Sequence, residues 1–385
     1  MARVWAFVLV FLLLAELALP PLKAYYYNRH EAGFVFGERL PNKFILIHKE
    51  FPAALRYIER HRGDYDVNVV MLGDSIVWGA GLGVRGDQTI SAYLEDELAR
   101  RLPGRKVRVW NLGIPGSEPG DMYFALRRVE RLQPDAVVAD FNIIFYNPKS
   151  IADPVAFDWL YLDYGITPES IPEVRAVWDR PLGDRVADFL AMRWRLYRER
   201  EWINALLFKE YPRQRFANGV KALVNRALNG APASAPAPAP GGKRWYEQDW
   251  KAQLARVAFM YDPAPLDPAH NAACGFTAAA LRHLKERGMP ALVFKPDHNE
   301  AMLGKLASAP GFRANVAALD GLLRESGVPY LDMEGRVPSD FFADHVHLTA
   351  EGNRVVAREL AAALVPQLAA QPGEGGAARE GVAAK

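Results

Sequence analysis

The residues able to do chemistry stand in two short stretches near opposite ends of the chain. Gly73, Asp74 and Ser75 interrupt the apolar run "VVMLGDSIVWGAGL", and Asp344 and His347 lie three positions apart in "DFFADHVHLTAEGN". A serine hydroxyl is a weak nucleophile until an imidazole takes its proton. The imidazole in turn needs a carboxylate on its other nitrogen, to fix the tautomer and stabilise the cation. Ser75, His347 and Asp344 form a candidate set for that chemistry, and their three-residue spacing lets Asp344 and His347 converge from one loop. Plainer roles exist for each. Ser75 could cap a helix, while Asp344, His345 and His347 could bind a metal or decorate a surface loop. No further protein ligand is apparent, so neither a metal nor another cofactor is expected.

Attack on a carbonyl also needs donors for the oxyanion. "NLGIPGSEPGD" contains Gly113 and Gly116, which either bring the Gly116 amide to the oxyanion beside the Ser75 amide or simply shape a turn. Asn142 and Asn147 in "ADFNIIFYNP" offer two carboxamides for a third donor. The residues alone do not choose between them.

The segments around these residues are the ones that must position them. "VNVVML", "KVRVWNLG", "DAVVADFNIIF", "PALVFKP" and "VPYLDM" read as buried strands. Helical patterns alternate with them, beginning with "FPAALRYIERHR" before the first strand and including "DMYFALRRVERLQP", "AAALRHLKERGM" and "VAALDGLLRESG". That rhythm implies an α/β fold, a parallel sheet flanked by helices. Ser75 then falls between the carboxyl end of the first strand and a helix start, where open α/β sheets bind ligands.

With 385 residues, half of them hydrophobic, the chain can bury one large core and a smaller second unit. Its net charge of +2 shows no field suited to nucleic acid. The single cysteine, Cys274, excludes an internal disulfide and a multi-cysteine metal site. At the amino terminus, "MARVWAFVLVFLLLAELALPPLKAYYYNRH" joins a basic start to an apolar stretch interrupted by Glu16, then to three tyrosines suited to a membrane surface. An uncleaved membrane anchor over residues 1–27 is the expectation, with a cleaved signal segment as the alternative. A first catalytic portion follows over 28–147, and a lid-like helical insertion over 148–270 carries an Ala/Pro-rich linker at 230–242. The second catalytic portion spans 271–366, and the tail 367–385 lacks the apolar content to fold. Trp194, Tyr197 and Trp202 in the insertion suit a core, a sugar platform or a bilayer surface.

Gly-Asp-Ser after the first strand, Asn-x-Gly-x-x-Gly after the second, and Asp-x-x-His before "LTAEGN" resemble the SGNH (GDSL) hydrolase superfamily, over roughly 67–148 and 278–364. The resemblance implies a flavodoxin-like three-layer sandwich. It assigns Ser75 as nucleophile, His347 as base, Asp344 as its partner and Gly116 as an oxyanion donor. The family's Gly-x-Asn-Asp block is absent here, with Asn142 slightly early and Asn147 slightly late against it. The anchor, the insertion and "FKPDHNEAM" also resemble extracytoplasmic SGNH-like proteins that work beside membrane-bound O-acyltransferases on envelope polysaccharides. That similarity implies an acylated carbohydrate substrate, an acyltransferase partner, a periplasmic catalytic domain and either ester hydrolysis or O-acetyl transfer. A lipid-ester hydrolase and an inactive polysaccharide-binding assembly protein are the competing readings.

Overall fold

The structure, a computed structural model, describes residues 2–29, 51–79, 84, 86–147, 166–178, 182–200, 203 and 254–370. The five apolar runs form five strands: β1 (Val67–Gly73), β2 (Val107–Gly113), β3 (Ala136–Asp140), β4 (Ala291–Lys295) and β5 (Tyr330–Asp332). All pair in parallel, in the order β2-β1-β3-β4-β5. β1, β3 and β4 bury every residue, which accounts for their continuous apolar runs: a parallel strand covered on both faces has no solvent side to keep polar. The third strand is shorter than "DAVVADFNIIF" suggests. It stops at Asp140, because the Asn142 side chain accepts from the Ile144 amide and turns the chain into a 3₁₀ turn, Ile143–Phe145.

Among the helices are α1 (Ala2–Arg29), α2 (Phe51–His61), α3 (Ser75–Trp78), α4 (Ile90–Arg101), α5 (Pro119–Val129), α6 (Leu182–Arg193), α7 (Arg195–Arg198), α8 (Ala272–Glu286), α9 (Pro310–Glu325) and α10 (Ala350–Ala369). From β1 the chain steps outward to β2 and then returns past β1 to β3. Right-handed crossovers in opposite directions put α4 and α5 on opposite faces of the sheet. Each face is then closed by a later helix: α10 packs on α4, and α8 packs on α5. The reversal between β2 and β3 also makes the carboxyl end of β1 the switch point, the place where open α/β sheets bind ligands.

The chain divides into two compact units, one of 27–179 with 249–385 and the other of 1–26 with 180–248. Parts of the expected insertion thus belong to the larger unit, which holds the sheet and Ser75, since the helix Pro172–Arg175 packs on α8 and Leu254–Val257 continues into a 3₁₀ turn ending at Tyr261. In the other unit, α6 and α7 are separated by a break at Trp194, which is extended. The linker 230–242, Trp202 and residues 371–385 lie outside the described residues.

Candidate active site

β1 delivers Ser75 through a turn whose side-chain space is already occupied. A Cβ on Gly73 would come 2.3 Å from Val77 Cγ2 and 2.8 Å from Asp140 Cγ, so only glycine lets α3 and the end of β3 close on that point. Asp74 caps α3, its carboxylate accepting from the Ile76 amide at 2.7 Å. The capping role thus belongs to Asp74, which leaves the Ser75 hydroxyl available. Ser75 Oγ lies 2.8 Å from His347 Nε2, and His347 Nδ1 lies 2.8 Å from Asp344 Oδ2. In the tautomer this chain requires, Nδ1–H donates to Asp344 and Nε2 accepts from Ser75.

Asp344 is 2 % exposed. Its other oxygen, Oδ1, accepts from the amides of Val346 and His347 at 2.8 and 2.7 Å. Burial pushes its carboxyl up, but the hydrogen bond and charge of His347 outweigh burial and hold it below its ordinary value. The loop is braced from β4 and from the catalytic unit's part of the insertion. The Asn299 amide nitrogen donates to the Asp344 carbonyl at 3.2 Å, and Asp297 accepts from the amides of His298 and Val337. The Tyr261 hydroxyl is hydrogen-bonded to His345 Nδ1 at 2.6 Å. His345 is buried, and desolvation lowers it to about 4. Asn299 is therefore a buried prop of the Asp344–His347 loop, and Asp297 holds the backbone of its own turn and of Val337, roles their polar sequence does not announce.

The candidate oxyanion donors separate clearly. Ile114–Ser117 is a turn closed by Ser117 N to Ile114 O at 3.0 Å, with proline second and Gly116 third at φ +77°, the geometry of a type II turn. Asn142 donates to Asp74 Oδ2 at 2.8 Å and is thereby tied to the residue preceding Ser75. Asn147 instead donates to the Phe259 carbonyl. The structure brings Asn142 to the serine turn and engages Asn147 with the chain before Tyr261.

Asp140 is a further participant that the motifs do not mark. It is 2 % exposed, and its carboxyl accepts from the Asp74 amide at 3.2 Å while hydrogen-bonding the Asp74 side chain. Burial first, and the Asp74 charge second, push Asp140 well above the usual carboxylate range, and burial raises Asp74 as well. Both carboxyls are thus held above their ordinary range by burial, and Asp74 also accepts from Ile76 and Asn142. An acidic residue ending a fully buried strand was the available signal, since such a side chain stays only when it has partners.

Three acidic groups, Asp320, Asp332 and Glu334, also converge elsewhere in the catalytic unit, where they surround the 2 % exposed Lys295 ammonium. That cluster is an ion network, in which Arg313 also pairs with Glu334 and Arg324 with Asp332.

Solved structures similar to the chain include a lipase/acylhydrolase from Enterococcus faecalis, 12 % identical, covering 78 % of this chain and 96 % of the other at a TM-score of 0.36. Others are a carbohydrate acetylesterase from Sinorhizobium meliloti, 12 % identical, covering 78 % and 99 % at 0.33, and a mutant acetylxylan esterase from Geobacillus stearothermophilus, 13 % identical, covering 78 % and 94 % at 0.33. No curated protein matches the chain. Residues 69–148, which include Ser75, Gly116, Asn142 and Asn147, match the family GDSL-like Lipase/Acylhydrolase. Over those residues the chain is thus similar to the GDSL-like lipase/acylhydrolase family, a family of ester hydrolases.

Proposed function

We propose that this protein is a membrane-anchored serine enzyme that removes or transfers an acyl group, in particular acetyl, on a carbohydrate of the cell envelope. The hydrogen-bonded chain from Ser75 through His347 to Asp344 carries the reading. Ser75 Oγ attacks the ester carbonyl as its proton passes to His347 Nε2, and Asp344 stabilises the resulting imidazolium. The amides of Ser75 and Gly116 and the carboxamide of Asn142 are the donors assigned to the oxyanion. His347 then returns the proton to the departing alcohol, leaving an acyl-Ser75 ester. Water resolves it in hydrolysis, and a sugar hydroxyl resolves it in O-acetyl transfer, each giving its proton to His347. Val4–Leu22 of α1 is long and apolar enough to cross a bilayer, which supports an anchor; the reading adds an extracytoplasmic catalytic unit and a membrane-bound O-acyltransferase as partner.

The test is covalent labelling of the full chain by a fluorophosphonate, with turnover of an aryl acetate and of an acetylated polysaccharide. Wild type should be labelled and Ser75→Ala should not, with turnover falling by roughly 10⁶-fold. Equal labelling of both removes Ser75 as nucleophile. Absence of labelling and turnover in a folded wild type favours the inactive binding protein. Lipid-ester hydrolysis is the second reading, favoured by the apolar side chains that α6 exposes in the same unit as α1. Phospholipid cleavage without polysaccharide deacetylation would put it first.

A further inference from the structure

Glu16 is the only acidic residue in the apolar part of α1, and a lone carboxylate at bilayer depth is costly unless donors accompany it. Those donors come from the insertion. Glu16 Oε1 accepts from the Arg195 amide at 2.8 Å and Oε2 from the Leu196 amide at 2.9 Å, at the start of α7. On the same face of α1, Leu19 is buried and Leu12 and Ala15 are half-buried, at spacings of three and four residues. The other faces expose Phe7, Phe11, Leu14 and Leu17. The segment before α7 must therefore travel with α1 to wherever Glu16 lies. Glu16 is six residues before Leu22, the end of the apolar span, and so about 9 Å along the helix from that end.

That depth is the one at which interfacial helices bury their apolar faces, about 5–10 Å into the headgroup and acyl boundary. α6, which leads into the Glu16 contact, has the required surface. Leu182, Val186 and Phe189 are 75 %, 50 % and 54 % exposed, at helical spacings of four and three. Arg193 caps the stripe with its guanidinium 5.5 Å from the Phe189 ring centre, and Arg185, Arg195 and Arg200 are exposed around it. An exposed apolar row on a helix tied to a membrane-spanning helix, edged by arginines, matches phospholipid headgroups over acyl chains.

We infer that α6 is a second membrane contact, lying in the bilayer interface at the carboxyl end of α1 with Leu182, Val186 and Phe189 among the acyl chains, and that Glu16 pins it there through the start of α7. This inference rests on the reading of α1 as a membrane anchor. It makes the unit containing α6 a membrane-seated platform, with Trp194 serving the interface.

The test uses the full chain with Cys274→Ser, reconstituted in vesicles of phosphatidylcholine and phosphatidylglycerol. An environment-sensitive fluorophore is attached at Leu13→Cys in α1, at Phe189→Cys in α6, or at the exposed Lys305→Cys in the catalytic unit. Quenching by spin-labelled lipids reports depth. Expected are quenching at position 13 by deep labels, and quenching at 189 by shallow labels several-fold above that at 305. Quenching at 13 with 189 no different from 305 overturns the inference while keeping the anchor, and absence of quenching at 13 overturns the anchor reading itself. Disulfide cross-linking between Phe189→Cys chains without lipid quenching assigns the stripe to a second copy and overturns the inference. Glu16→Leu should lower shallow quenching at 189 and keep deep quenching at 13. Unchanged quenching at 189 overturns the pinning by Glu16. Omitting phosphatidylglycerol should weaken quenching at 189, and no change would remove the arginines from the contact.

Discussion

The two units of this protein invert each other's burial. The catalytic unit hides Asp74, Asp140 and Asp344, each 1–2 % exposed, whereas the unit built on α1 leaves Leu182, Val186 and Phe189 half exposed or more. Each buried carboxyl in the first unit has several hydrogen-bond partners, since an unpaired one would be too costly to keep. In the second unit the apolar side chains carry no such requirement. On the proposed function, the difference separates a unit shaped around a serine site from one shaped for contact with an apolar phase.

The largest effect that could break this contrast concerns the buried carboxylate at the end of the serine chain. Asp344→Asn keeps the loop's shape but lets His347 take the wrong tautomer, so aryl acetate turnover should fall by about 10⁴-fold. A fall of only a few-fold would make Asp344 a structural carboxylate and leave the unit without a water-excluded catalytic pair. The next effect separates the two asparagines. Asn142→Ala should lower kcat by about 10²–10³-fold with KM nearly unchanged, as for a donor used in the transition state. Asn147→Ala, which frees the Phe259 carbonyl, should change kcat little; a reversed order would move the oxyanion donor to Asn147.

A third effect reads the burial of His345 as pH-dependent stability. The unfolded imidazole titrates near 6.5 and the folded one near 4, so the unfolded state binds more protons between those values. Its neutral-state stabilisation is fully present above the unfolded value and is lost as pH falls through this window. The loss amounts to up to about 3 kcal/mol from the 2.5-unit difference. Asp344, whose folded value is depressed, adds a loss of the same sign as acid protonates it. Unfolding curves in detergent should therefore steepen with acid for wild type and flatten for His345→Gln. Parallel curves would mean that His345 is solvated. The smallest effect belongs to the other unit. Phe189→Ser in detergent should alter melting stability by no more than about 0.5 kcal/mol and leave aryl acetate turnover intact. A loss of the size seen for core residues, about 3–5 kcal/mol, would mean that protein covers the stripe and would erase the contrast between the units.

The sheet was legible because its signals are local. A strand buried on both faces writes itself as an unbroken apolar run, so β1 and β4 stand out in "VNVVML" and "ALVFK". Ser75, Asp344 and His347 were equally visible, because a turn after a strand and a loop before a helix restrict where such side chains can point. Asp140 was not, since its value depends on Gly73 leaving room in the neighbouring strand, a relation between residues far apart in the chain. Asn299 escaped for the same reason: its partners are backbone groups of the loop that follows β5.

The sequence by itself thus determined the α/β rhythm, the residue types able to do acyl chemistry, and the apolar helix at the amino terminus, because each is carried by neighbours within a few residues. Only the tertiary structure decided which asparagine reaches the serine turn, which carboxyls burial pushes above their ordinary range, and how Glu16 is satisfied. Those outcomes depend on hydrogen bonds and desolvation between segments that the chain order keeps apart. Periodicity encodes the face a residue shows, and it does not encode the partner that face will meet.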